Sequence, residues 1–288
     1  MSATANSEGA SAGRQKGLRF RPDIEGLRAV AILMVVADHL GVRGFKGGFV
    51  GVDVFFVISG FLITGLLADE REARADRGVS AISLTGFYKR RARRILPAAL
   101  TVIAVVLVVA KLDFNLIRFR QVQADAFWAT VFAANLNLMH QATDYFAINR
   151  TLSPLQNYWS LAVEEQFYLV WPLLLMAASG VWRFMADRGR KIGWDRVALT
   201  VVALLGVASF VWALVDSADS PVTAYYSPFT RAWQLALGAA LALWCHGRRS
   251  PSPIAAKLGG LAGASMLLVG LLVITPKSSI PGALALLP

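Results

Sequence analysis

The chain has 288 residues, of which 56% are hydrophobic and 16% charged, with a formal net charge of +11. An ordinary soluble domain carries roughly 25% charge, and the apolar residues here gather in runs of about 17–22, long enough to cross a bilayer core; the composition excludes a water-soluble globule and predicts an all-α, polytopic transmembrane helix bundle. The basic excess is not a nucleic-acid footprint, because it crowds the short loops between apolar runs, and the single cysteine, Cys245, excludes an internal disulfide.

Residues 1–20, "MSATANSEGASAGRQKGLRF", are small and polar and lack the apolar core of a signal peptide. They are expected to form a disordered cytoplasmic tail, with residues 21–288 forming one membrane domain. The apolar runs predict about eight spans, at 27–43, 49–67, 95–112, 120–139, 159–181, 197–215, 230–246 and 258–275. A ninth run opens at Pro281 and the chain stops inside it. A helix ending in lipid leaves unpaired carbonyls, so a C-terminally incomplete piece of a longer protein is expected.

The first run, "EGLRAVAILMVVADHLG", holds Arg28 and His39. Eleven residues are about three helical turns, so the two share a face about 16 Å apart along the axis. Ionisable groups inside spans are rare and default to function. The bland alternatives are a basic anchor at the inner end for Arg28 and a satisfied core histidine for His39. The second run carries Asp53, expected at the depth of His39, where a carboxylate would fix the imidazole tautomer. The loop 68–94 is the most basic and is placed in the cytoplasm, with the N-terminus; it ends in "FYKRRARR", Phe87 to Arg94. Such runs are commonly topogenic or lipid-binding, but arginines also suit phosphates.

The run 120–139 is the weakest, with Gln121, Gln123, Asp125, Asn135 and Asn137. It conflicts with the charge rule: loops 68–94 and 183–196 are both basic, yet three runs separate them. Either this segment lies in the interface, re-enters or spans only partly, or the rule fails in one loop. The next run, "WSLAVEEQFYLVWPLLL", enters from outside with Glu164 and Glu165, again in the outer part. Adjacent residues diverge by about 100°, so one of them is expected to face the bundle centre. The bland alternative is a solvated helix N-terminus. Tyr168 accompanies either glutamate at helical spacing. An imidazole and carboxylates converging from three helices make a general-base constellation. No metal-ligand spacing, Walker loop or dinucleotide fingerprint is present, and "VISGF" around Ser59 is not a nucleophile elbow. Near the end, Gly259 and Gly263 stand four apart, which permits close helix packing.

The stretches "RPDIEGLRAVAILMVVADH", "GGFVGVDVFFVISGFLITGLL", "FYKRRARRILPA" and "NYWSLAVEEQFYLVWPLLL" closely resemble the integral membrane acyltransferase-3 family. "YYSPFTRAWQLALGAALA" further resembles its bacterial branch often fused to a C-terminal SGNH-type esterase domain. The resemblance implies an enzyme of about ten helices in the bacterial plasma membrane. It would move acetyl groups from cytoplasmic acetyl-CoA to exported glycans such as lipopolysaccharide or peptidoglycan. The family's Arg-x10-His motif matches Arg28 and His39. Its Arg-x-x-Arg motif matches Arg90 with Arg93 or Arg91 with Arg94. Its Glu-Glu-Gln-Phe-Tyr motif matches Glu164 to Tyr168. His39 is then expected to act as general base or transient acyl carrier, oriented by Asp53 or Glu165, with Glu164 beside them. Arg28 and the arginines at 90–94 would hold the donor's phosphates, and a slot along the first helix would carry its arm. Tyr158, Trp159 and Tyr168 are candidate acceptor contacts. The competing reading is a proton-coupled transporter of a glycan or lipid, which uses the same residue types; a non-catalytic scaffold is the blandest.

Overall fold

A computed structural model of the protein describes residues 21–75, 82–143, 151–248, 251–275, 278 and 280–287. The expected tail, 1–20, lies outside the described residues. These form ten α-helices: α1 (Pro22–His39), α2 (Gly51–Ala75), α3 (Leu84–Asp113), α4 (Leu116–Thr130), α5 (Ala134–Thr143), α6 (Tyr158–Asp187), α7 (Trp194–Asp219), α8 (Pro221–Tyr226), α9 (Pro228–Cys245) and α10 (Pro253–Val273). No strand occurs among the described residues. The protein is a multi-pass membrane protein. Among the described residues, five stretches are long and apolar enough to cross a bilayer: Gly48–Ala75, Leu84–Asp113, Tyr158–Asp187, Trp194–Asp219 and Pro253–Val273. Helices α1 and α9 are shorter, at 18 residues each, and each carries an arginine.

Local chemistry sets the helix starts. Ser83, Asn115, Ser227 and Ser252 accept a backbone N–H of the first turn of α3, α4, α9 and α10, satisfying donors that have no intrahelical partner. Proline opens α1, α8, α9 and α10, where its missing N–H costs nothing.

Helix α2 is the hub. It packs in parallel against α9, with Gly60 on the Leu235 backbone and Gly238 on the Val57 backbone; a Cβ at either glycine would lie 1.9 Å from the facing carbonyl oxygen. Only glycine admits so close a contact. Helix α6 also runs parallel to α2: Phe56 meets Trp159 edge-on, Ser59 reaches Glu164, and Trp171 Nε1 donates to Thr64 Oγ1 at 2.7 Å. Helix α3 is antiparallel to α6, since Tyr88 donates to the Leu169 carbonyl and Tyr158 to that of Ala99. Gly259 and Gly263, whose spacing permits close packing, meet no other helix among the described residues within 4 Å of their Cβ positions.

The segment 120–139 is not a span. It breaks at Phe132, whose φ of 53° is uncommon for a bulky residue, and α4 and α5 fold back as a hairpin. Arg118, at the start of α4, donates to the carbonyls of Thr151 and Leu152. At the tip, Gln166 of α6 donates to the Phe132 carbonyl and to Asn135 Oδ1, each at 2.9 Å. On the way back, Asn137 and Gln141 both donate to Asp125 Oδ1. The chain thus enters and leaves at the end of the bundle occupied by residues 151–157. Only α3 and α6 cross between the two basic loops, and the parity conflict disappears. The polar residues that weakened the apolar signal are the ones that hold the hairpin shut.

Two outcomes follow from this packing. Gly238→Val has no space for its side chain and must part α2 from α9; the unfolding midpoint in detergent is expected to drop by more than about 5 °C, on the order of 2 kcal/mol. In a Cys245→Ser background, Ile117→Cys, Ala142→Cys and Thr151→Cys are expected to react with an impermeant maleimide from one side of the membrane, and Arg190→Cys from the other.

Candidate functional site: an arginine held by two glutamates

The charged residues of three helices meet at one level. Arg91 of α3 donates from Nη2 to Glu164 Oε1 at 3.2 Å and to Glu165 Oε1 at 3.1 Å, with Nε also on Glu165. Its guanidinium lies 3.6 Å from the centre of the Tyr168 ring, a cation–π stack. Glu164 Oε1 additionally accepts the hydroxyls of Ser59, at 2.6 Å, and Tyr168. A carboxylate this far from water is costly unless paired and hydrogen-bonded, and both conditions hold. The group borders a cavity of about 400 Å³ whose wall includes Arg28, Ser59, Arg91, Arg94, Glu164 and Tyr168. The structure therefore selects one register of the Arg-x-x-Arg motif for the cavity, Arg91 with Arg94. Arg90 turns away to Glu70 at 2.7 Å, and Arg93 does not line the cavity. Arg28 also pairs with Glu25 at 3.1 Å.

The expected outer cluster around His39 is corrected. The glutamates stand at the level of Arg28, not of His39: Arg28, Arg91 and Glu164 border one cavity, and α6 begins beside the middle of α3, where Tyr158 donates to the Ala99 carbonyl. His39 closes α1 at the opposite end, exposed, with Nδ1 2.8 Å from the Val35 carbonyl oxygen. A carbonyl only accepts, so Nδ1 carries a proton and Nε2 is the ring nitrogen left without a partner among the described residues. The group that orients this ring is its own helix backbone, not Asp53 or Glu165. A passage along α1 is present on a neighbouring face: a cavity of about 850 Å³ between α1, α2, α9 and α10, lined on α1 by Ile24, Leu27, Val30 and Met34. His39 does not line it, and Ile24 and Ile58 wall both cavities.

Asp53 also departs from its expected place. Gly51 packs on the Ala31 carbonyl, about 12 Å along α1 from His39. Asp53 Oδ1 instead accepts Arg231 Nη1 at 2.6 Å and Gln234 Nε2 at 2.8 Å. The pair is sealed, with side-chain exposures of 1% for Arg231 and 5% for Asp53. Trp159 belongs to this second centre: it packs on Phe56, Tyr225 and Tyr226, and Arg231 lies 5.4 Å from its ring and 4.6 Å from that of Tyr225. Burial pushes the Tyr225 phenol up, so it stays neutral as a packing group. Tyr158 is committed to α3, leaving Tyr168 as the one candidate acceptor contact that borders the arginine cavity.

The sequence pattern of an acyltransferase domain matches residues 21–286. The chain belongs to this acyltransferase family. Among relatives of the family member described here are the peptidoglycan O-acetyltransferase OatA of Listeria monocytogenes, 37% identical over 236 residues, and the putative peptidoglycan O-acetyltransferase YrhL of Bacillus subtilis, 36% identical over 244 residues. These matches cover 81% and 83% of this chain and 35% and 36% of the relatives. A putative O-acetyltransferase of Staphylococcus aureus, SAS0844, is 36% identical over 235 residues, 80% of this chain and 36% of its own. The chain spans just over a third of the length of these curated relatives. No solved structure matches it.

Arg231 and Gln234 are absent from the sequence-derived candidates, although an arginine inside the run 230–246 was the available signal. Elsewhere, His246 gathers Asp69, Glu72 and Asp195 at 3.4–3.6 Å. With both carboxylates of its Nε2 side exposed, this group is a polar cluster joining the ends of α2, α7 and α9. Removing one partner of a sealed pair strands the other charge. Arg231→Met is therefore expected to cost about 3–5 kcal/mol, measured by unfolding in mixed micelles.

Proposed function

We propose that the protein is the membrane acyl-transfer part of an O-acetyltransferase of the bacterial plasma membrane. Acetyl-CoA in the cytoplasm is the donor, and a hydroxyl of an exported glycan is the acceptor. Peptidoglycan is the acceptor named for two of the relatives and is the first choice here. The single observation that carries this reading is the cavity bordered by Arg28, Arg91 and Arg94. Its arginines come from two helices beside the basic loops, which argue for a cytoplasmic N-terminus. Guanidinium groups suit the phosphates of a nucleotide-bearing donor.

The donor's charged end would rest on Arg28, Arg91 and Arg94, with Arg91 aimed at it by Glu164 and Glu165. Its thin acyl-bearing arm would run along α1, where the long apolar cavity abuts the arginine cavity. His39 stands about 16 Å along the same helix from Arg28. The Nδ1 hydrogen bond to Val35 leaves Nε2 as a proton acceptor. His39 would take the proton of the acceptor hydroxyl as its oxygen attacks the thioester carbonyl carbon. The carbon–sulfur bond then breaks, and the proton passes to the departing thiolate.

The test uses the full-length protein in vesicles with labelled acetyl-CoA inside and glycan outside. His39→Ala is expected to lose at least about 100-fold in turnover, the scale of a removed general base, with an unchanged unfolding temperature. Arg28→Ala and Arg94→Ala are expected to raise the donor KM, each by about tenfold, the scale of one charged hydrogen bond. Undiminished glycan acetylation by His39→Ala overturns the mechanism. Glycan translocation without any label transfer would establish the transporter instead.

A further inference from the structure

Helix α2 contributes one polar side chain to the arginine cavity: the hydroxyl of Ser59. It is 9% exposed and donates to Glu164 Oε1 at 2.6 Å. That one oxygen is where three helices meet, because it also accepts Tyr168 of α6 and Arg91 of α3. Arg91 has a second carboxylate, Glu165, so a guanidinium caught between two acids has two places to settle. What decides between them is how firmly Glu164 is held. Tyr168 holds it from the same helix, one turn away, and therefore moves with it. Ser59 holds it from another helix, and Ser59 itself cannot shift along the bundle. Its neighbour Gly60 is lodged against the Leu235 backbone with no room for a Cβ. The hydroxyl is thus the fixed point that ties the α2–α9 packing to the charged centre.

We propose that Ser59 is a positioning residue for acyl transfer: it pins Glu164, and through Glu164 it aims Arg91 at the donor. This rests on the donor-site reading given above. The Ser59 hydroxyl is committed to Glu164, so it acts on the donor through that carboxylate and carries no acyl group. Loss of its hydroxyl frees Glu164 to swing with Arg91, which loosens the donor site without touching the base at His39. The effect falls on donor binding, and it returns with any β-hydroxyl at that position.

The experiment compares Ser59→Ala, Ser59→Thr and Arg91→Gln in the full-length protein in phospholipid vesicles. Acetyl-CoA is the donor, an N-acetylglucosamine pentamer is the acceptor, and thiol release is the readout. Ser59→Ala is expected to raise the acetyl-CoA KM by about tenfold, the scale of one hydrogen bond to a charged group, with kcat within about twofold and the unfolding temperature unchanged. Ser59→Thr is expected to restore the KM to within about threefold. If Ser59→Ala does not fold, Ser59→Cys, similar in shape but a weak donor, is scored in its place against the same expectation. A wild-type KM in Ser59→Ala, a collapse of kcat instead of a rise in KM, or a threonine variant no better than alanine each overturns the proposal. Arg91→Gln separates the two layers. A raised KM in Arg91→Gln beside a normal one in Ser59→Ala defeats the positioning role alone; a normal KM in Arg91→Gln defeats the donor-site reading beneath it.

Discussion

Helices α2 and α9 touch backbone to backbone, and the remaining helices are arranged around that contact. In a bilayer no hydrophobic gain draws apolar helices together, so close packing and polar contacts must hold them. Both act here. Gly60 and Gly238 let the two backbones meet, and the Asp53–Arg231 pair lies in the same seam. The pair is a device of register more than of stability. Rotating α9 by one residue would turn Arg231 through about 100° and leave two sealed charges without partners.

The charged centre hangs from the same helix. Ser59 reaches Glu164 and Thr64 reaches Trp171, so α6 is fixed to α2 at two successive heights. Glu70, further along α2, takes Arg90 and draws in the first turns of α3. Between them Arg91 is carried to both glutamates. The cost of placing three charged groups, Arg91, Glu164 and Glu165, within a membrane domain is met by mutual pairing, and the cavity beside them still has Arg28 and Arg94 on its wall. His39, at the far end of α1, is left with its backbone hydrogen bond and an open Nε2. In the proposed reaction, a donor site and a base at opposite ends of this one short helix would serve two substrates that arrive from opposite faces.

Much of this was legible in the residues. Seven of the eight apolar runs became long helices, because a run of apolar side chains can satisfy its backbone only as a helix in lipid. The exception, 120–139, had already shown its weakness in Asp125, Asn135 and Asn137, and the loop charges had required an even number of crossings. The site was legible as a set of residues but not as an arrangement. Arg91 and Glu164 were assigned to opposite faces, because loop charge reports which end of a helix is inside and says nothing of how deep a given residue lies. The start of α6 lies beside Ala99, in the middle of α3, and that offset between antiparallel helices brings the two to one level.

The sequence by itself determined that this is an all-α membrane protein of the acyltransferase family, and which short motifs carry its polar chemistry. Hydropathy, loop charge and motif spacing are local properties of the chain, and they survive without knowledge of neighbours. Only the tertiary structure decided who pairs with whom: Arg91 with both glutamates, Arg94 in place of Arg93 at the cavity, and Asp53 with Arg231, 178 positions away. Such pairings depend on the rotation, tilt and depth of each helix. Those are fixed by where glycines let backbones meet, a property of two surfaces together that neither run of residues holds alone.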